Sequence, residues 1–191
     1  MRVLVTAASK YGATAEIAAA LGRTLDEQGL DADVVPIEAA ADLSRYDAFV
    51  LGSGVYAGHW LKPARQLVDD HVDEIASKPT WLFSSGPIGD PPKPVAKHAV
   101  DVGELVARTR AREHRVFAGK LDKSGMRFAD RAIVSAVRSA EGDFRDWDEI
   151  AGWPRRSRAR ASLVAQRLGG AYPRGTAGRR DRRRHRHRVD H

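Results

Sequence analysis

The sequence predicts an α/β fold: a doubly wound, five-stranded parallel sheet in the order 2-1-3-4-5 with helices on both faces. Short apolar or β-branched runs alternate with stretches of helical period, the pattern of a parallel sheet covered on both sides. Each run ends in a loop of small residues, where ligands of such sheets bind, beyond the carboxyl ends of the strands. With 191 residues, 42% hydrophobic and 30% charged, the chain is long enough for one such domain and too short for two large ones.

Val3-Leu4-Val5 is the first strand, after which hydroxyls begin abruptly at Thr6, Ser9, Tyr11 and Thr14. Ile17, Ala18, Leu21 and Leu25 recur at helical spacing, which puts Thr14 close to a helix amino terminus. The free N–H groups and positive dipole of that end, with the hydroxyls, suit a phosphate dianion. Taken alone, the segment fits equally well if Ser9 and Thr14 are only caps and turn formers. Gly22 lies inside the helix and Gly29 is its expected stop. Residues 32–37 read as a second strand, placed at the edge because Pro36 removes one ladder donor.

Residues 48–52 form a third, fully apolar strand, ending in a loop over 53–60. A helix from about Lys62 has Pro63 in its first turn and Leu67, Val68, Val72 and Ile75 as its inner stripe. Residues 80–84 are a fourth strand opening into a Gly- and Pro-rich loop over 85–92. A polar helical segment over about 95–112 precedes a fifth strand at 115–119. Residues 128–139 read as a helical insert, and Trp147 begins the last helix. In the order 2-1-3-4-5 the loops after strands one and three flank the point where strand order reverses, the expected ligand crevice.

The absence of cysteine excludes thiol catalysis, disulfides and cysteine-ligated metals, so any redox role requires a bound cofactor. No apolar run approaches the roughly 20 residues that span a bilayer, and no basic-then-apolar leader opens the chain, so a cytoplasmic location is expected. The net charge of +7 is unevenly placed. From residue 155 onward thirteen arginines face only Asp181 and Asp190, a surplus of +11, so residues 1–154 carry −4. The arginine-rich end has three readings: a solvated tail, read-through after a frameshift in a GC-rich gene, or a nucleic-acid or lipid binder acting by counterion release. The first two rank ahead of binding. His185, His187 and His191 sit among arginines that repel cations, so no metal site is expected. Gly52-Ser53-Gly54-Val55-Tyr56-Ala57 fits the dinucleotide fingerprint, with Asp69 or Asp70 at about the expected distance. That fingerprint belongs after the first strand and should open a helix directly, so it is discounted.

Several pieces together resemble bacterial flavodoxin-domain proteins, and within them the menaquinone-dependent protoporphyrinogen IX dehydrogenases. They are Ser9-Lys10-Tyr11-Gly12-Ala13-Thr14, the run 51–59, Phe117-Ala118-Gly119-Lys120-Leu121, Phe128-Ala129-Asp130-Arg131 and Gly142-Asp143-Phe144-Arg145-Asp146-Trp147. The resemblance covers residues 1–153 and implies flavin mononucleotide (FMN) as cofactor. It implies that Ser9, Lys10, Tyr11, Gly12, Ala13 and Thr14 hold the phosphate. By position, Gly54, Val55 and Tyr56, with Ser85, Gly86, Pro87, Ile88 and Gly89, would then hold the isoalloxazine ring. Aromatic stacking and close glycine backbone suit that role.

The resemblance implies an FMN-dependent oxidoreductase that oxidises protoporphyrinogen IX or a similar reduced substrate with a quinone acceptor. The alternative is an electron carrier between protein partners, without a small substrate of its own. No general base is assigned; His59 and Asp90 are candidates by position only. Residues 121–128 are plainer than the aromatic and basic segment of the dehydrogenases that has been linked to membrane association, and peripheral membrane contact stays an open expectation. The divergent tail is expected over 154–191, with a break or kink at Pro154, a partial helix near 161–168 and disorder beyond Gly170.

Overall fold

The computed structural model describes residues 1–56, 58–86, 102–128, 130 and 141–156. Along the chain come β1 (Arg2–Ala8), α1 (Ala13–Glu27), β2 (Asp31–Val34), a 3-10 turn (Ile37–Ala39), β3 (Ala48–Tyr56), β4 (His59–Trp60) and α2 (Lys62–Ser77). They are followed by β5 (Thr80–Ser85), α3 (Val102–Thr109), β6 (Glu113–Phe117), β7 (Lys120–Leu121) and β8 (Gly142–Asp143). A last helix, α4, covers 147–156.

The sheet runs β2-β1-β3-β5-β6 with every pairing along it parallel. Counted among parallel strands alone, this is the expected 2-1-3-4-5 order. Strand alternation divides the core into two layers. Val3, Val5, Val50, Phe83 and Phe117 face Ile17, Leu21 and Leu25 of α1 and Ile150 and Trp153 of α4. On the opposite face Leu4, Phe49, Leu51 and Leu82 meet Leu67, Val68 and Ile75 of α2 and Val102 and Leu105 of α3. Because both faces are covered, the inner strands β1 and β3 are buried almost throughout rather than alternating, while the edge strands β2 and β6 carry charged residues. Trp153 anchors α4 edge-on, with its ring 5.6 Å from Phe117 and 6.4 Å from Phe83.

Three expectations are corrected. β2 ends at Val34, so Pro36 caps the 3-10 turn and occupies no strand position. The stretch 53–60 is a hairpin: β3 continues to Tyr56, and β4 returns antiparallel with Val55 opposite Trp60. Gly58, at φ 85°, supplies the left-handed turn residue. Helical backbone continues through Pro154 to residue 156, so the helix does not break there. It begins at 147, and Trp153 and Pro154 are both buried in it, so packing holds the segment helical. Beyond these, β7 and β8 pair antiparallel, Lys120 opposite Asp143 and Leu121 opposite Gly142, a pairing that no periodicity in the sequence signals.

Of the insert expected at 128–139, only residues 128 and 130 are described, and both are helical. The segment 87–101 and the tail from 157 onward lie outside the described residues. Among the described residues no helix is long and apolar enough to cross a membrane.

Candidate functional site

Beyond the carboxyl ends of β1, β3 and β5, at the reversal of strand order, lies a cleft. Ser9, Lys10, Tyr11, Ala13 and Thr14 line it from the first loop, Gly54, Val55 and Tyr56 from the hairpin, and Ser85 and Gly86 from the end of β5. The two glycine-containing stretches therefore meet the first loop as a single surface. Gly12 does not line the cleft but caps α1 at φ 86°, a left-handed conformation that favours glycine. Pro87, Ile88 and Gly89, like Ala57, lie outside the described residues.

The first loop ends in an open helix terminus. α1 carries no side-chain cap, so the N–H groups of its first turn have no intrahelical acceptor. The Ser9 hydroxyl is buried and has no hydrogen-bond partner among the described residues. Thr6 Oγ1, on β1 just before the loop, is likewise buried and unpartnered. A β-carbon at Gly54 would stand 3.1 Å from Thr14 Oγ1, so glycine there leaves room beside the threonine hydroxyl.

Ser53 fixes the hairpin by accepting the Leu61 N–H at 2.9 Å and donating to the Gly54 carbonyl at 2.8 Å. Trp60 is buried and donates its indole N–H to Ser84 Oγ at 2.8 Å. Ser84 Oγ in turn lies 2.9 Å from His114 Nε2 on β6. Trp60 is thus a packing residue that braces the hairpin against the sheet, while His59 is exposed.

Four further positions line the cleft that the sequence does not assign to it: Gly119, Lys120 and Leu121 around β7, part of the resembling piece 117–121, and Met126 beyond it. Leu61 joins them from the start of α2. Asp130 is the larger omission. It is buried, and its carboxylate accepts from Lys10 Nζ at 2.7 Å, from the Tyr56 phenol at 2.8 Å and from the Tyr11 phenol. The Lys10 ammonium, Tyr11 and Tyr56 hold this carboxyl well below the usual carboxylate range. Burial, reinforced by Asp130, pushes the Tyr56 phenol up to about 12, and the hydrogen bond to Asp130 raises that of Tyr11. Lys10 Nζ also sits 4.3 Å from the Tyr56 ring centroid, within cation–π range.

On the other side of the first loop, the Arg145 guanidinium is buried and reaches Asp143 at 2.6 Å, Glu16 at 2.7 Å and the Ala13 carbonyl at 3.2 Å. It ties β8 to the first turn of α1. The residues that carry the dinucleotide fingerprint, by contrast, run from strand into hairpin and open no helix directly. Asp69 is engaged elsewhere, with Arg108 at 2.7 Å.

Residues 4–148 match the family model described as flavodoxin domain. The chain is 24% identical over 169 residues to protoporphyrinogen IX dehydrogenase (quinone) of Escherichia coli K12, covering 81% of this chain and 93% of that protein. Among solved structures it is similar to a cysteine-to-serine mutant of flavodoxin from Pseudomonas aeruginosa, with a TM-score of 0.50, 17% identity, and coverage of 80% of this chain and 97% of the other. It is also similar to rubredoxin oxygen:oxidoreductase from Desulfovibrio gigas, with a TM-score of 0.50, 13% identity, and coverage of 71% of this chain and 33% of the other.

Proposed function

The chain belongs to the flavodoxin domain family, and from that premise we propose that it is an FMN-dependent oxidoreductase that oxidises a small reduced substrate of the protoporphyrinogen type with a quinone acceptor. The observation that carries this reading is the fit of the first loop to a phosphate. A Ser9 hydroxyl that is buried without a partner among the described residues and an α1 terminus without a side-chain cap converge on the cleft at the strand-order reversal. Unsatisfied donors of this kind are costly in a folded protein unless a ligand accepts from them.

Bound there, FMN supplies the electron acceptance and delivery of the reaction. The protein binds and orients it. Ser9, Thr14 and the first-turn N–H groups of α1 hold the phosphate, and the dipole of α1 favours its negative charge. Gly54, Val55, Tyr56, Ser85 and Gly86 form the wall for the ring system, where the Tyr56 ring and close backbone provide contact. Ser53 and the Trp60–Ser84 bond fix the hairpin so that this wall keeps its place relative to the phosphate loop.

The substrate class is supported by the dehydrogenase relative, which this chain matches over nearly its whole length. It is supported also by the segment beyond β7, which brings Met126 to the cleft as a wall that the sheet alone does not provide, and sets Asp130 behind the lining residues Lys10, Tyr11 and Tyr56. Purified protein supplied with FMN is expected to show bound-flavin absorption bands, to be bleached by protoporphyrinogen without oxygen, and to be reoxidised by a menaquinone analogue. Failure to bind FMN overturns the reading. Binding followed by reduction only through a protein reductase would make the chain an electron carrier.

A further inference from the structure

We propose that Asp130 is a specificity-determining residue of the cofactor cleft: as the internal counter-anion of Lys10, it keeps that ammonium from the ligand phosphate and limits how strongly the site prefers phosphorylated to unphosphorylated flavin. The proposal rests on the flavin reading above and goes beyond it, because it assigns a role to the one carboxylate that joins the two loops of the cleft among the described residues.

Lys10 is the only cation among residues 9–14. A lysine in a phosphate loop ordinarily serves as a point charge for the phosphate. Here Lys10 Nζ is 2.7 Å from Asp130 Oδ1 and 4.3 Å from the Tyr56 ring centroid, so its charge is engaged by a carboxylate and an aromatic face. The Asp130 side chain is 11% exposed and that of Lys10 37%, so the carboxylate is sheltered while the ammonium side of the pair remains open to screening by salt. Its two oxygens are further fixed by the phenols of Tyr11 and Tyr56, which hold the carboxylate in place whatever Lys10 does.

The second cation at the first loop is matched in the same way. Arg145 approaches the Ala13 carbonyl but is satisfied by Asp143 and Glu16. A phosphate arriving at this loop therefore meets the neutral donors of Ser9, Thr14 and the α1 terminus, while the charges of Lys10 and Arg145 are balanced within the protein; Lys120 lines the cleft separately, from β7. Binding of this kind gains less from the phosphate than a free lysine would provide, and the shortfall is set by Asp130.

The test compares FMN and riboflavin binding, by quenching of flavin fluorescence, in the wild type and in variants of the full chain. Asp130→Asn keeps an oxygen that accepts from a phenol but removes the counter-charge. The ratio of riboflavin to FMN dissociation constants is expected to rise about tenfold and to fall more steeply with added salt. Asp130→Glu, which keeps the charge, is expected to leave that ratio near the wild-type value. Lys10→Met added to Asp130→Asn is expected to return it there. A ratio that is unchanged or lowered in Asp130→Asn, or a rise that persists in the double variant, overturns the proposal while leaving the flavin reading intact. A wild type that binds neither flavin overturns both. A readout without flavin is absorbance titration of tyrosine: Asp130→Asn is expected to lower the titration of Tyr56 and Tyr11, and an unaltered curve also overturns the proposal.

Discussion

His114 Nε2 on β6 lies 2.9 Å from the Ser84 hydroxyl on the neighbouring β5. The same hydroxyl accepts from the Trp60 indole at 2.8 Å, so Ser84 joins Trp60 to His114. Burial pushes His114 down to about 4. Because the folded value lies below the unfolded one of about 6.5, the folded state disfavours the proton. The resulting stability is fully present above pH 6.5 and is lost as the pH falls toward 4. Between pH 7 and pH 5 the loss is expected to be about 1–2 kcal/mol. Urea midpoints at the two pH values, compared with those of His114→Gln, check it: the variant should lose this part of the pH dependence.

Arg145 is expected to be a stability residue of the loop between β1 and α1. Its guanidinium is nearly inaccessible and satisfies Asp143, Glu16 and a backbone carbonyl of the first turn of α1. It also lies 4.5 Å from the Trp147 ring centroid. Arg145→Ala should cost about 2–3 kcal/mol, since three charge-assisted bonds, two to Asp143 and one to Glu16, are lost together with their packing. Denaturant unfolding measures this. A loss below about 0.5 kcal/mol would show that the clamp contributes nothing.

Two glycines separate by environment. A β-carbon at Gly52 would fall 2.1 Å from the ring of Phe83, a fully buried side chain between sheet and α4. Gly52→Ala should cost about 3 kcal/mol, at the upper end of overpacking effects. At Gly22 the conflict is with Val34 Cγ2, at 2.2 Å, but Val34 is exposed at the end of the edge strand. It can rotate away, and alanine within α1 recovers up to about 1 kcal/mol of helix propensity. Gly22→Ala is therefore expected to be near neutral in thermal unfolding, and equal losses at both sites would contradict this account.

Ser9 should reveal the ligand through opposite effects on stability and binding. Without a phosphate its hydroxyl is a buried donor lacking a partner, so Ser9→Ala should leave the flavin-free protein equally stable or up to about 1 kcal/mol more stable. The same change should weaken FMN roughly tenfold, the value of one hydrogen bond to a charged group, with riboflavin binding unaltered. Equal weakening of both flavins would move the phosphate away from Ser9.

The layered sheet was legible because its signals are local. The alternation of apolar runs with helical stripes placed every parallel strand, and the Gly29 stop is realised as a residue at φ 76° with its N–H returned to the Asp26 carbonyl at 2.8 Å. The hairpin at 53–60 was not legible. Its strands extend into residues whose small side chains read equally well as coil, and pairing across the turn is what makes them strand.

By itself, then, the sequence determined the α/β architecture, the parallel strand order and the three stretches that meet at the cleft, since period, glycine placement and a bare helix terminus are properties of neighbouring residues. The tertiary structure alone decided that Asp130, 120 residues from Lys10, supplies its counter-charge, and that Arg145 braces the first turn of α1 across 132 residues. A partner chosen at such separation depends on where the whole backbone places two side chains in a poorly hydrated site. Charge and spacing along the chain carry no record of that choice.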